Sequence, residues 1–240
     1  MAAPSFTFRE VLTRARRTLH DSDSVRWPLP ELFDYTNDAV REVALVKPSA
    51  VTRVVELSLV AGVVQSIPDQ YHHLLKVTRN LKSGDSSPQG RAGAAAVTEI
   101  ASLSVLDETL PNWSDIEAYP ARKQLDHAHR DAYDPRVFYT VPANDGTGLV
   151  EAKVAEIPED VAAPDNPTDI SSYDGLDVPL PPVYRSAVVD YVLYRAHSKD
   201  AGLPGSAQRA ELHMRLFKAA LGQKTAADME ADSRPAEGGA

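Results

Sequence analysis

At Val51 the hydrophobic period of the chain changes, and the change limits the folds open to it. Ahead of Val51, apolar residues recur every three to four positions. Beyond it they largely alternate, and long helical stripes return after residue 182. Strands grouped in one consecutive block, with helices on either side in sequence, predict an α+β fold rather than a doubly wound parallel sheet.

Residues 6–20 place Phe8, Val11, Leu12, Ala15 and Leu19 at helical spacing, with Arg9, Arg14, Arg16 and Arg17 between them. The break HDSDSVRWPLP offers Asp and Ser as caps and prolines suited to an N-terminal turn. Leu32, Tyr35, Ala39, Val40 and Val43 then line one face of a second helix, which stops before Pro48. The Arg-rich first helix suits a solvated face or ion pairs at a subunit boundary better than DNA phosphates.

In the alternating block, Val55, Leu57 and Leu59 share a face. Ala61-Gly62 supplies a turn into a second strand over 63–67, and HHLLKVTRNL reads as a third. KSGDSSPQGRAG reads as a mobile polar loop. Residues 104–111 predict one or two helical turns, with Trp113 as a packing anchor. Strands over 136–142 and 148–158 flank an Asn144-Asp145-Gly146 turn. About five strands result, a small, mostly antiparallel sheet.

Residues 158–182 hold many of the 18 prolines and several Asp, which leaves no room for a regular element. Pro181-Pro182 preset the first turn of the next helix, with Val188, Tyr191, Val192 and Arg195 on one side. A Gly-Leu-Pro-Gly turn at 202–205 leads into a last helix striped by Ala207, Ala210, Met214, Phe217 and Leu221. The pair reads as an antiparallel αα-hairpin. Residues 223–240 have the composition of disorder. The expected organisation is an N-terminal helical part (1–50), a β-rich insertion (51–158) and a connector arm (159–182). The C-terminal hairpin (183–222) packs on 1–50 as a helical bundle, and an extended tail (223–240) follows.

Several chemistries find no footing. A chain of 240 residues without cysteine needs no disulfide staple and has no thiolate nucleophile or ligand. No apolar run reaches the roughly 18–20 residues of a bilayer span, and the N-terminus shows no signal-peptide core, so a soluble chain that is not exported by that route is expected. A net charge of −9 opposes scanning of nucleic acid but suits a surface that DNA must pass without sticking. No phosphate-cradling or dinucleotide glycine motif occurs, and no cofactor is expected. His72-His73 cannot face one metal from adjacent strand positions. His127 and His129 sit in a stretch with helical character and read as solvated, although an extended backbone would put both beside Asp126 and Asp131 in a zinc-like set. Asp190 and His197 lie seven apart on one helical face with Ser198 next, but no nucleophile elbow exists.

Three blocks in order point elsewhere. The first is W-P-x-x-E-L-x-x-Y-x-N-D-A-V…KPSA from Trp27 to Ala50. The second is Gly62…Gln65-x-x-Pro68 followed by a strand with Arg79-Asn80. The third is VVDYVLYRAHSKDA at 188–201, followed by Arg209-Ala210, Phe217 and Leu221-Gly222. With Leu106-Asp107, Pro111 and Trp113 between them, the chain resembles the head-to-tail adaptor (connector) proteins of tailed bacteriophages over residues 6–225. Residues 82–96 depart from that pattern in being small and alanine-rich.

The resemblance implies a non-enzymatic virion protein that forms a ring, usually about twelve-fold, by heterologous contacts. The ring docks on the portal protein, extends the channel for double-stranded DNA, and carries a tail, stopper or nozzle protein. It places the chain at the head-tail junction of the virion, assembled in the host bacterial cytoplasm and without membrane contact. Arg14, Arg17, Phe33 and Leu45 become candidate subunit-interface residues, since Phe33 and Leu45-Val46 lie off the main stripe of the second helix. Lys224, Asp228, Met229 and Arg234 become candidate portal-binding residues, and the connector an arm over a neighbour. The alternatives are a tail-terminator, stopper or collar protein, or a small hydrolase using His127/His129 or Asp190–His197.

Overall fold

A computed structural model describes residues 5–82, 93–200 and 202–233, with the backbone alone for 93, 94 and 223–233. In chain order the first elements are α1 (Phe8–Leu19), α2 (Leu29–Val46), β1 (Thr52–Ser58), β2 (Ala61–Ser66) and β3 (Tyr71–Leu81). Then come β4 (Gly93–Ala96), β5 (Thr98–Glu99), α3 (Leu103–Thr109), β6 (His127–Arg130), β7 (Val137–Asp145) and β8 (Leu149–Glu156). Two helices, α4 (Arg185–Lys199) and α5 (Ser206–Ser233), complete the order. The chain divides into two compact units, one of residues 1–50 with 158–240 and the other of residues 51–157.

In the helical unit, α1 starts where the Thr7 hydroxyl accepts the Glu10 N–H and ends where His20 turns left-handed at φ 55. Its buried stripe is Phe8, Val11, Leu12, Ala15 and Leu19, every residue of the predicted set. Pro30 sits in the first turn of α2, which ends as the chain tightens into a 3-10 turn at Pro48–Val51. The buried face of α2 is wide, taking in Leu29, Phe33, Thr36, Asn37 and Ala44 as well as the stripe of Leu32, Ala39, Val40 and Val43. Aromatic rings carry the packing. Phe33 lies 4.7 Å from Phe8 and 5.4 Å from Tyr173, and Tyr191 of α4 lies 5.2 Å from Phe217 of α5. The Trp27 indole N–H donates to the Ala196 carbonyl at 3.0 Å, tying the segment before α2 to α4.

Two expectations about this unit change. The connector holds short 3-10 turns at Ile170–Tyr173 and Pro182–Tyr184, and it does not stand away as an arm. Tyr173, Val178 and Leu180 are buried, and the Phe8 and Val178 N–H groups bond the Leu176 and Phe6 carbonyls across the two segments. Three apolar side chains in a proline-rich stretch are enough to seat it. Residues 223–233, expected as an extended tail, continue α5. Their low hydrophobicity is not a low helix propensity, since Ala, Lys, Met and Glu dominate the stretch.

The β unit holds two four-stranded sheets, β1-β8-β3-β4 and β2-β7-β6-β5, where one small sheet was expected. Pairing is antiparallel throughout except for β5 with β6. The turns at 61–62 and 144–146 do not close hairpins within a sheet. Residues 52–66 and 137–156 form one long antiparallel ribbon that bends at 59–60 and 146–148, so β1-β8 belongs to one sheet and β2-β7 to the other. Leu57, Leu74, Val150, Ala152 and Val154 from the first sheet share one core with Ala128 and Phe138 from the second and with Ile67 just past β2. The stretch with expected helical character around His127 is strand β6, because its two-residue alternation is too short to stand out in sequence. In the alanine-rich segment, 93–96 pairs with β3 as β4, and the loop expected over 82–93 falls mostly outside the described residues. α3 packs Leu106 with Trp113 and Val141 in a second, smaller cluster.

Candidate functional site

The surface of the helical unit is built by the register of α1 and α2. Arg9, Glu10, Thr13, Arg14 and Arg17 fall on one side of α1 and, with Arg185, line a shallow cleft. The Arg9 guanidinium grips both Asp174 oxygens at 2.6 and 2.7 Å, and Arg185 bonds Glu10 at 2.7 Å. The hydrogen bond to Asp174 and its charge raise the Arg9 pKa further. Arg14 and Arg17 are exposed and have no ion-pair partner among the described residues. The cleft therefore carries two uncompensated cations.

On α2 the expected interface residues separate. Phe33 is 2% exposed and wedged between Phe8 and Tyr173, which leaves it no surface to offer a neighbour. It lies off the stripe because the core here is wider than a single stripe. Leu45 and Val46 remain 57% and 54% exposed at the end of the helix. Nearer the start of α2, desolvation and then the charges of Asp38, Asp160 and Glu31 push the Asp34 carboxyl up. Burial and the bond to Glu31 push the Tyr35 hydroxyl up to about 12. On α5, Leu212 and Leu216 are exposed four residues apart, while Phe217 and Leu221 face the core. Lys224, Asp228 and Met229 lie on the continuation of this helix, and Arg234 lies outside the described residues.

The motif residues hold backbone in place. Asn37 exchanges two hydrogen bonds with the backbone of Val161, both at 3.2 Å. Asp38 accepts from Arg41 at 3.0 Å and from Arg195 at 2.8 Å, and Arg195 lies over the Tyr35 ring. Gly62 has φ +115, and the buried Gln65 amide spans the corner beside it. Gln65 Oε1 accepts the Val60 N–H, while Nε2 donates to the Val60 and Gly62 carbonyls. Asn80, 1% exposed, donates to the Ala95 and Leu125 carbonyls and accepts the Leu125 N–H. The Trp113 indole donates to Asp107 at 2.8 Å. Asn144, which the sequence marks only as a turn residue, pins the second corner. It donates to the Arg122 and Lys123 carbonyls and accepts from the N–H groups of Gly146 and Gly148.

Of the catalytic candidates, His129, Asp131, Asp190 and Ser198 are occupied in other ways. The His129 ring bonds the Ile100 carbonyl at 2.7 Å and stacks on Tyr139. Asp131 accepts from the Tyr133 and Asp134 N–H groups and the Tyr139 hydroxyl, which hold its carboxyl below the usual range. Among the described residues no group of three His, Asp or Glu stands ready for a metal. Asp190 meets His213 of α5 at 2.9 Å in place of His197, and the Ser198 hydroxyl is turned to the Tyr194 carbonyl. The Asp190–His213 pair, 23 residues apart, leaves no trace in the local pattern. No described helix is long and apolar enough to cross a membrane.

The sequence matches the family described as SU10 adaptor protein over residues 6–238. No curated protein matches it.

Proposed function

The chain belongs to that family of phage head-to-tail adaptors, and from that premise we propose that it forms a ring docked on the portal protein of a tailed-phage head. The ring extends the DNA channel and serves as the platform for a tail, stopper or nozzle protein. The observation that carries this reading is a match running through both compact units.

The helical unit supplies side-to-side contacts of the heterologous kind that closes a ring. Arg14 and Arg17, charged and unpaired on α1, and Leu45, apolar and exposed at the end of α2, are its contact residues. The far part of α5 with Lys224, Asp228 and Met229, and Arg234 beyond it, meets the portal. A net charge of −9 lets double-stranded DNA pass a channel wall without sequence readout and without sticking. The virion is the site of action, and the host cytoplasm is the site of assembly.

Electron microscopy of the purified chain mixed with portal tests the proposal. Rings seated coaxially on the portal are expected, and the lack of both rings and portal binding overturns it. Removing residues 223–240 should weaken docking while circular dichroism of the rest is retained. Undiminished docking rejects the role given to that segment.

A further inference from the structure

We propose that the cleft between the end of α1 and the α4–α5 joint is an oxyanion-binding site, with Arg209 and His197 as its ligand-facing groups at the N-terminus of α5. The cleft has a volume of about 480 Å³ and lies wholly within the helical unit. This site goes beyond the adaptor reading and needs no neighbouring subunit.

The carboxylates that line it are already engaged. Asp21 accepts the N–H groups of Val25, Arg26 and Trp27 at 2.9 to 3.0 Å. Burial pushes its carboxyl up, but those three bonds outweigh burial and hold it below the usual range. Asp200 takes the Arg26 guanidinium at 2.7 Å. The cations are the groups left over. Arg209 is exposed in the first turn of α5 and has no ion-pair partner among the described residues. That helix is 28 residues long and its first turn lines the cleft through Ser206 and Arg209, so the positive end of its dipole lies beside the same space.

The second observation is His197. It is 6% exposed, lines the cleft, and makes no hydrogen bond among the described residues. Its contacts are a ring stack on His213 at 5.8 Å and the edge of Trp27 at 6.3 Å. His213 has its own partner in Asp190, so among the described residues nothing takes up the His197 N–H. The small part of the residue that stays accessible lies in the cleft, so a bound ligand can supply the acceptor that the protein does not. An oxyanion supplies the acceptor atoms and the opposite charge that Arg209 and the helix end favour.

Such a site binds more tightly as pH falls. Burial, His213 and Arg209 push the His197 pKa down, and Asp200 opposes them weakly. His20 and Arg26 add positive or titratable charge on the α1 side, and Asp190 acts through His213. An anion in the cleft raises the His197 pKa, so binding draws a proton onto the ring and weakens as that proton is lost.

Nuclear magnetic resonance of the histidine ring protons, in the full chain at about pH 6 and about pH 8, tests this with inorganic phosphate and with acetate as probes. A saturable shift at His197 and His213, with His72 as an unmoved reference, is expected at the lower pH and weaker at the higher. Saturation by phosphate assigns a phosphate-type ligand, and saturation by acetate alone assigns a carboxylate. Arg209→Gln, a surface change that leaves the core intact, should weaken binding about tenfold. A shift that does not saturate with either anion, or one unaffected by R209Q, overturns the site.

Discussion

The helical unit and the β unit hold their shapes by different means. In the helical unit aromatic and aliphatic side chains dominate the interior, with Asn37 as a buried amide, and the ion pairs Arg9–Asp174, Arg195–Asp38 and Lys199–Glu31 lie toward the surface. In the β unit three buried amides, Gln65, Asn80 and Asn144, reach into bends and strand ends and satisfy backbone groups there. A helix meets its own backbone needs except at its ends, whereas a ribbon that bends from one sheet into another leaves orphan N–H and C=O groups at the bend. The β unit therefore depends on side-chain geometry at fixed points, and the helical unit on filling volume. That leaves the helical surface free to carry unpaired charge.

Substitution can break this contrast at either end. The largest effect is expected at Phe217, which is 1% exposed and lies against Tyr191. Phe217→Ala should lower stability by about 3–5 kcal/mol in denaturant unfolding, with hydrogen exchange raised in α4 and α5. A loss well under 1 kcal/mol by the same measure would mean that volume is not what holds the helices. Next comes Asn144→Ala, which leaves two carbonyls and two N–H groups at the corner without their partner. A loss of about 2–3 kcal/mol is expected, with exchange raised at 122–123 and 144–148. Uniform exchange across both units would show that the corner is not the local pin described. The smallest effect on stability is expected from Arg14→Glu with Arg17→Glu, exposed and unpaired positions that should leave it within about 0.5 kcal/mol. The same variant should lose side-to-side assembly on the portal by electron microscopy. Rings formed as before would remove these residues from the interface.

The blocks quoted from the sequence turn out to differ in kind. Gly62 and Gln65 belong together because the amide reaches back three residues to the glycine carbonyl, and Asp107 and Trp113 because one accepts from the other. Spacing in sequence reflects these contacts since they are local. Phe33 was misplaced because a single stripe was taken for the whole core, while Tyr173, 140 positions later in the chain, extends that core over it. The Asp190–His213 pair and the His197 stack escaped for the same reason. They depend on contacts between α4 and α5, whose partners lie many positions apart in the chain.

Local periodicity and capping settled much in advance: the buried stripe of α1, the helix stopped before Pro48, the strand block from Val51, and the helix start after Pro181-Pro182. Each follows from interactions within a few residues, where pattern and propensity act. Only the folded chain decided that the ribbon bends between two sheets and that the connector is sewn to residues 6–8. It also decided that α5 runs on to Ser233, and which cations are left unpaired. Those outcomes turn on pairings between distant segments, whose register is set by burial and orphan polar groups that no local window of the sequence contains.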